Sequence, residues 1–488
     1  MLLAVSSLTI VIATMPIGVA QSGTNISGII SQNSTWNISG SPYTLTGNTL
    51  VYQGITLTIQ PGVIVNFGSY YIQVNGTLSA IGSPSDKINF NEGQITFMSS
   101  SNGWNEQTNS GCLIENDNID QTSITSNNPL KIDSGNINGN ITVASSIISN
   151  NIITGTITGS NSIISNNIVK CDITTQVTSI LGALYSESSV ISNNIVTGNI
   201  DIGYIGEIAS GDASTVFNNT VNGSIGTISA EGTPEIYNNT VSNGGISGAG
   251  YGSIFNNFIY DCQSGVSLSN PRGFGGVLPC YATVENNLIV DNTQGIDMDL
   301  TSVFGPGTVC PTILNNTISG NSVGIYLSES YYNSTPTIQN NNLQNNSNYN
   351  FDLSAPNNID VTYNWWGTSN QSAISNSIYG YNQDFTLGQV NYTPFLTAPN
   401  PQAPNLNTPI PTPQPTSTQS PPTASPTHAS STSPGLSSSS QSKQPTSSLP
   451  TELIVVAAVI VIIAASVGAF MLGKKSGRKQ PLRDNYSI

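Results

Sequence analysis

The stretch PTILNNTISGNSVGIYL, residues 311–327, is the clearest copy of a unit that recurs along the middle of this chain. GSIFNNFIYDCQSGVSL (252–268) and ATVENNLIVDNTQGIDMDL (282–300) repeat its pattern. Apolar residues alternate with polar ones, and Asn and Gly interrupt the alternation, which is the signal of short strands joined by turns. The unit therefore predicts β structure.

The copy at 311–327 predicts three strands. We expect Ile313 and Asn315 to share one face of the first strand and the chain to turn at Asn316. Ile318 then begins a second strand, and a third strand carries Ile325 toward the interior. One such unit cannot bury its apolar face alone, so we expect the copies to stack as the coils of a solenoid.

An Asn-Asn pair marks each copy, with spacings of 16 to 30 residues that average near 24. Stacked coils lie about 4.8 Å apart, so equivalent Asn side chains are expected above one another with their amides hydrogen-bonded along the stack. This arrangement explains why a polar residue recurs beside core Ile and Val. The pairs are at 150/151, 166/167, 193/194, 218/219, 238/239, 256/257, 286/287, 315/316 and 340/341.

The composition excludes several classes of function. Only 7% of the 488 residues are charged and the net charge is −15, so neither long amphipathic helices nor a nucleic-acid partner is expected. The single His, His428, lies in a Ser/Pro-rich stretch, which excludes His-based metal sites and triads. Five Cys are too few for a disulfide-built scaffold.

The two ends of the chain predict a cell-surface protein. Residues 1–20 are apolar and end in small residues, as in a secretory signal peptide, although no Lys or Arg precedes the apolar run. Residues 452–472 contain the uncharged stretch Leu453–Leu472, long enough to cross a lipid bilayer as one helix. Five of the ten basic residues lie in the tail 473–488, which predicts that the tail is cytoplasmic and the N-terminal part extracellular.

Between the repeats and the apolar run, residues 397–451 change in composition. Residues 397–450 hold 13 of the 27 Pro and are otherwise mainly Ser, Thr, Gln and Asn. Such a composition cannot form a core and favours an extended, disordered stalk. We therefore expect an ectodomain over 21–396, with an N-terminal cap at about 21–56, held away from the membrane by this stalk.

The repeat resembles that of right-handed parallel β-helix proteins of the pectate-lyase-like and NosD-like superfamily. The resemblance covers roughly residues 45–395. LTIQPGVIVNFGSYYIQVNGTLSAIGSPSDKINF (57–90) is similar to the first coils of prokaryotic β-helix surface proteins, and VTYNWWGTSN (361–370) is similar to the last coil of archaeal members. It implies an all-β, right-handed solenoid, but this fold hosts lyases, hydrolases, adhesins and scaffolds alike.

An enzyme of this superfamily would need outward carboxylates and a nearby base. Asp297 and Asp299 alternate with inward apolar residues, so both are expected to face outward about 7 Å apart, where they could hold Ca²⁺. Arg272, in the preceding loop, could serve as the base. The positions stacked on Asp297 and Asp299 are Ser267, Ser269, Tyr326 and Ser328, which add no carboxylate. Weak calcium binding, catalysis and plain solvated aspartates stay open.

Two further features have alternative interpretations. Tyr363, Trp365 and Trp366 could form a platform for sugar rings, or they could close the end of the core, as they do in similar proteins. Cys280 and Cys310 precede the Asn-Asn pairs of neighbouring coils by similar intervals, so a disulfide between them is one possibility.

Asn-x-Ser/Thr sequons are frequent, and those with an outward Asn are candidate glycosylation sites. They include Asn25, Asn33, Asn75, Asn140, Asn222, Asn315, Asn333 and Asn391. Taken together, the sequence predicts a structural or adhesive surface protein that presents a repetitive face to polysaccharide or other envelope components. The alternative is a membrane-anchored polysaccharide lyase or glycoside hydrolase. No cofactor is expected apart from the Ca²⁺ considered above.

Overall fold

The computed structural model describes residues 23–171, 173–174, 189–202, 213–227, 233–248, 251–268, 272–273, 276–277, 280–298, 310–328 and 335–407. Within them the chain forms two large sheets in which every pair of neighbouring strands is parallel. Parallel pairing between one copy of the repeat and the next confirms the stacked β-helix that the sequence predicts. Its right-handedness stays a prediction.

The first large sheet, here called sheet A, has 25 strands among the described residues. Most coils contribute two strands to it, one on each side of a bend. Its strands are Thr24–Ile30, Tyr43–Val51, Ile64–Asn66, Tyr71–Val74, Ile88–Phe97, Asp117–Ser126, Asn136–Asn138, Ile141–Ala144, Ile152–Thr154, Ile157–Ser160, Ile168–Val169, Ile173–Thr174, Ile195–Val196, Ile200–Ile202, Thr220–Thr227, Thr240–Gly248, Phe258–Tyr260, Ser264–Leu268, Leu288–Val290, Gln294–Met298, Thr317–Ser319, Val323–Leu327, Asn342–Gln344, Tyr349–Leu353 and Ile378–Tyr379.

In the described part of the chain the second large sheet, sheet B, has 14 strands. They are Ser34–Trp36, Thr56–Ile59, Thr77–Ile81, Leu113–Glu115, Lys131–Asp133, Ile147–Ser149, Ile163–Ser165, Val190–Ser192, Thr215–Phe217, Glu235–Tyr237, Ser253–Phe255, Thr283–Glu285, Thr312–Leu314 and Thr337–Gln339. The smaller elements are an antiparallel pair (Arg272–Gly273, Gly276–Val277), a parallel pair (Ile359–Asp360, Val390–Asn391), a 3-10 helix Ile38–Gly40 and an α-helix Gln371–Asn376.

The copy at 311–327 shows how one coil is built. Its three strands are Thr312–Leu314, Thr317–Ser319 and Val323–Leu327, and Ile325 is fully buried as predicted. The predicted turn is one residue too late. Asn315 is not on a strand but lies in the left-handed region at φ 54°, so the chain bends there and directs the next side chain, Asn316, inward.

Inward residues of successive coils lie in columns that form a single hydrophobic core. One column in sheet B joins Ile254, Val284, Ile313 and Ile338 in register. Each of these side chains is at most 1% exposed. Burying a side chain of this size stabilises the fold by roughly 1.5–3 kcal/mol, so stacking provides the burial that one coil lacks.

The second Asn of each pair forms a buried ladder at the corner between sheet B and sheet A. In Asn219 the side-chain Nδ2 donates to Oδ1 of Asn239 at 3.0 Å, and the backbone N–H donates to the same oxygen at 3.0 Å. The pattern repeats from coil to coil and confirms the predicted stack of amides. The ladder consists of Asn151, Asn167, Asn194, Asn219, Asn239, Asn257, Asn287, Asn316, Asn341 and Asn364.

Two shorter ladders lie at other bends. Asn292 donates to Asn321, which donates to Asn346, and the N–H of Cys262 donates to Oδ1 of Asn292. Cys262 therefore occupies the place of an Asn, as its position in the repeat suggests. A ladder of serines precedes the sheet B strands and was not foreseen, because Ser is common everywhere in this chain. It consists of Ser146, Ser162, Ser189 and Ser214.

At the N-terminal end of the ladder, which we call its head, other residues take the place of Asn. The N–H of Gly135 donates to Oδ1 of Asn151 at 2.8 Å, so Gly135 occupies the next ladder position but has no side chain. Asp117 occupies the position beyond Gly135. Its carboxyl group is fully buried and accepts no hydrogen bond of normal geometry within the described residues. Burial raises the pKa of Asp117 well above its usual value, and this effect outweighs the nearby Lys87, which lowers it.

The described chain ends in a segment that lies against the coils. The side chain of Asn400 donates to Oδ1 of Asn315 at 2.9 Å, and its backbone N–H donates to Oδ1 of Asn342 at 2.7 Å. Thr317 donates to the carbonyl of Pro404 at 2.5 Å. The first residues of the expected stalk, up to Asn407, thus contact three neighbouring positions of the β-helix.

No helix of the described residues is long and apolar enough to cross a membrane. The expected signal peptide, the rest of the stalk, the membrane span 452–472 and the tail 473–488 all lie outside the described residues.

Candidate functional site

Asp297 lies where the repeat predicts. It is on the strand Gln294–Met298, between Ile296 and Met298, which are both fully buried, so its own side chain faces outward and is half-buried. Asp299 lies outside the described residues, so its predicted pairing with Asp297 stays a prediction. The backbone of Arg272 pairs with Val277 in the small antiparallel ribbon, and its side chain is outside the described part.

The outward neighbours of Asp297 form a register along sheet A. Asp297 pairs with Ser267 on one side and with Tyr326 on the other, as the alignment of copies predicts. Tyr326 then pairs with Asp352, and Asp352 pairs with Tyr379. We call the four residues Asp297, Tyr326, Asp352 and Tyr379 the tyrosine–aspartate stripe.

Each carboxylate of the stripe is contacted by the hydroxyl group of a nearby serine. The hydroxyl of Ser264 lies 3.2 Å from Oδ2 of Asp297, and the hydroxyl of Ser354 donates to Oδ1 of Asp352 at 2.8 Å. Burial raises the pKa of Asp352 above its ordinary value, and the hydrogen bond from Ser354 offsets part of this rise. Asp352 therefore accepts a proton at a less acidic pH than an exposed aspartate does.

Aromatic side chains lie beside these carboxylates. The rings of Tyr349 and Tyr379 are 5.3 Å apart between centroids and tilted by 50°. Both side chains are half-buried, as is that of Tyr326. Tyrosine rings with carboxylates between them offer apolar faces and hydrogen-bond acceptors on one surface, which is the combination that sugar rings and their hydroxyl groups require.

The sequence alone did not identify Asp352 as a candidate site residue, although its strand, YNFDL (349–353), repeats the pattern of VGIYL (323–327). Both strands have the same burial pattern, with the fourth residue outward. The signal was hidden by one extra residue: Asp352 follows its ladder residue Asn341 by eleven positions, whereas Tyr326 follows Asn316 by ten. The backbone absorbs this residue in the bend between the two sheet A strands.

Among the residues that the structure describes, no three His, Cys, Asp or Glu side chains gather as a metal site would require. Asp297 and Asp352 are separated by two coils, or about 10 Å along the strand-stacking direction.

The aromatic residues near the C-terminal end do not form one platform. Trp366 is 2% exposed and packs edge-on against Tyr392. The indole N–H of Trp365 donates to Oε1 of Gln344, while Tyr363 is 49% exposed at a left-handed bend. Trp366 therefore belongs to the core at this end, which favours the closing role over sugar binding.

Cys280 and Cys310 lie on neighbouring coils, as their spacing predicts. The N–H of Cys310 donates to the carbonyl of Cys280 at 2.8 Å. Sγ of Cys310 lies 3.4 Å from the hydroxyl of Thr335. The disulfide stays a prediction that this proximity of the two backbones permits.

The candidate glycosylation sites differ in accessibility. Asn25, Asn33, Asn140, Asn222 and Asn391 are exposed. Asn75 and Asn315 are half-buried, and Asn333 lies outside the described residues. Nδ2 of Asn315, the atom that a glycan would use, lies 3.2 Å from Oε1 of Glu285.

A second aromatic column lies on the outer face of sheet B. Phe217, Tyr237 and Phe255 stack with centroid distances of 5.1 and 4.8 Å and interplanar angles of 6° and 12°. Because the rings lie face to face, each covers its neighbour, and the column contributes to the stacking of coils.

Comparison with known proteins adds little. No family model matches the sequence, and no curated protein matches it. Among solved structures, the PL6 family polysaccharide lyase Pedsa3628 from Pseudopedobacter saltans is similar over 71% of this chain and 89% of that chain, with 16% sequence identity and a TM-score of 0.29.

Proposed function

We propose that this chain is a structural or adhesive protein of the cell surface that binds polysaccharide through the tyrosine–aspartate stripe. The observation that carries the proposal is the register of Asp297, Tyr326, Asp352 and Tyr379 on one outer face. The ladders and the core fix the coils beneath these residues, so the stripe presents its rings and carboxylates at about the 4.8 Å repeat of the coils. A polymer with repeating units can contact several coils at once.

The location of the protein is part of this proposal. The apolar start at 1–20, the Pro-rich segment 397–451 and the apolar run 453–472 support an ectodomain held outside the cell by a membrane anchor. The excess of basic residues in 473–488 supports a cytoplasmic tail. We further propose the kinship to NosD-like and archaeal surface proteins that the sequence motifs suggest.

Binding of the full-length protein to immobilised polysaccharides tests the proposal. The double variant Tyr326→Ala/Tyr379→Ala should bind its best glycan at least tenfold more weakly than the unchanged protein. Tyr52→Ala is the matched control, because Tyr52 is 55% exposed and lies in the N-terminal coils. The proposal fails if no glycan is bound, or if the control loses as much affinity as the double variant.

Cleavage of polysaccharide is the second candidate function, and the raised pKa of Asp352 favours it. An inverting glycosidase uses a protonated carboxyl group and a carboxylate roughly 6.5–9.5 Å apart. The strands that carry Asp352 and Asp297 are about 10 Å apart, just beyond the upper end of this range of carboxyl separations. In this case Asp352 would protonate the leaving oxygen and Asp297 would activate water.

Release of new reducing ends from a bound polysaccharide distinguishes the two functions. If the protein is an enzyme, Asp352→Asn and Asp297→Asn should each lower the rate by at least a hundredfold while binding persists. A glycan that is bound and never shortened leaves adhesion as the function.

A further inference from the structure

The C-terminal coils carry an unusual charge balance. From residue 273 to 442 the sequence contains eight acidic residues and no Lys, Arg or His apart from His428, and one basic residue, Arg272, directly precedes this part. The tyrosine–aspartate stripe lies entirely within this part. A polyanion placed on the stripe would be repelled by the field of the surrounding residues, whereas a polycation would be attracted.

The two carboxylates of the stripe strengthen this preference. Asp297 and Asp352 face outward on either side of Tyr326 and are both half-buried. A charge pair formed at a half-buried site is less screened than one in bulk water. The serines that contact the two carboxylates hold them in place before a ligand arrives, which lowers the entropy lost on binding.

The tyrosines add a second means of recognising a cation. An ammonium group is attracted to the face of a Tyr ring within about 6 Å of its centroid. Asp and Tyr alternate along the stripe from one coil to the next. A sugar polymer with ammonium groups along its length could therefore meet a carboxylate or a ring at each successive coil.

From these observations we infer that the polysaccharide bound by the tyrosine–aspartate stripe is one that carries free amino groups. This inference rests on the proposed function, because it names the ligand class of the same site. A neutral glycan would form its contacts with the tyrosine rings alone. A uronic acid polymer would be repelled by the carboxylates of both aspartates.

Three polymers test the inference with the full-length protein. The first is a glucosamine polymer with free amino groups, the second is the same polymer after N-acetylation, and the third is a polymer of uronic acid without added calcium. We expect the first to bind at least tenfold more tightly than the second, and the third not to bind. Raising the salt from 0.1 to 0.5 M should weaken the first and leave the second nearly unchanged.

The variant Asp297→Asn/Asp352→Asn should lose the tenfold preference for the free amine. Glu92→Gln/Glu106→Gln is its control, because it removes two negative charges at exposed positions in the N-terminal coils. Equal losses in both variants would show that only net charge matters and would overturn the inference. Tighter binding of the uronic acid polymer would overturn it as well.

The outcomes separate this inference from the proposed function. If the N-acetylated polymer binds as tightly as the free amine and Tyr326→Ala/Tyr379→Ala abolishes both, the stripe binds glycans but the inference on their charge is wrong. If none of these or other polysaccharides binds, both are wrong.

Discussion

The tyrosine–aspartate stripe lies on the last four coils of the Asn ladder, but the residues at its positions vary whereas those of the ladder do not. On the inside of the corner, coil after coil places the same residue, from Asn151 to Asn364, in the same hydrogen bonds. On the outside, neighbouring coils place Ser267, Asp297 and Tyr326 at one position. Stacking fixes the inner residue because a buried polar group needs a partner, while the outer position is free to vary for function.

The largest loss of stability is expected in the middle of the ladder. Asn257→Leu removes the acceptor of two donors on Asn239 and leaves the carbonyls of Ile236 and Phe255 without their side-chain donor. We expect the free energy of unfolding to fall by about 3–5 kcal/mol. Urea unfolding measures the fall, and hydrogen exchange should place it in the adjacent coils. A fall below about 1 kcal/mol would mean that the ladder is not a main source of stability.

The next effect concerns the head of the ladder, where Asp117 replaces an amide. Its pKa is raised in the folded state, so the folded protein binds the proton more tightly than the unfolded chain does. The contribution of Asp117 to stability is therefore greatest below its unfolded pKa and is lost as the pH rises through its folded pKa. We expect Asp117→Asn to remove this loss and to raise the melting temperature at neutral pH.

Thermal unfolding of the unchanged protein and of Asp117→Asn between pH 3 and pH 9 measures this difference. Asp120→Asn is the control, because Asp120 is exposed on the same strand. Parallel pH profiles for the unchanged protein and Asp117→Asn would contradict the prediction.

A smaller effect is expected at the residue before each ladder position. Asn256 adopts φ 55° and is exposed, whereas its neighbour Asn257 is 2% exposed. A β-branched residue is strained in this conformation, so Asn256→Val should cost about 1–2 kcal/mol, while Asn256→Gly should change stability by less than about 0.5 kcal/mol. Urea unfolding of the two variants tests the difference. Similar losses in both would show that the amide of Asn256 matters more than its backbone angle.

The smallest effect on stability is expected on the stripe. Asp352→Asn keeps the size of an outward side chain, so the free energy of unfolding should change by less than about 0.5 kcal/mol. The same variant should weaken binding of the free-amine polymer measurably. A stability loss as large as that of Asn257→Leu would place Asp352 with the structural residues.

Much of the fold could be predicted from the sequence because each copy of the repeat has an apolar face that only stacking can bury. The recurring Asn-Asn pair predicted the stack, the inward Ile325 and the place of Cys262 in the second ladder. The position of the turn was wrong by one residue. Both members of a pair are Asn, and only the backbone angle decides which one bends the chain and which one is buried.

The sequence by itself thus determined a stack of parallel coils with amides at their corners, because only stacking can bury faces that one short coil leaves exposed. The tertiary structure alone decided that the outer register continues from Tyr326 to Asp352 and Tyr379. The bends between strands absorb extra residues, so that Asp352 comes into register with Tyr326 and Tyr379 despite unequal spacing. It also placed Asp117 and Gly135 at the two positions that precede Asn151 in the ladder. The sequence did not predict this, because no Asn-Asn pair occurs at either position.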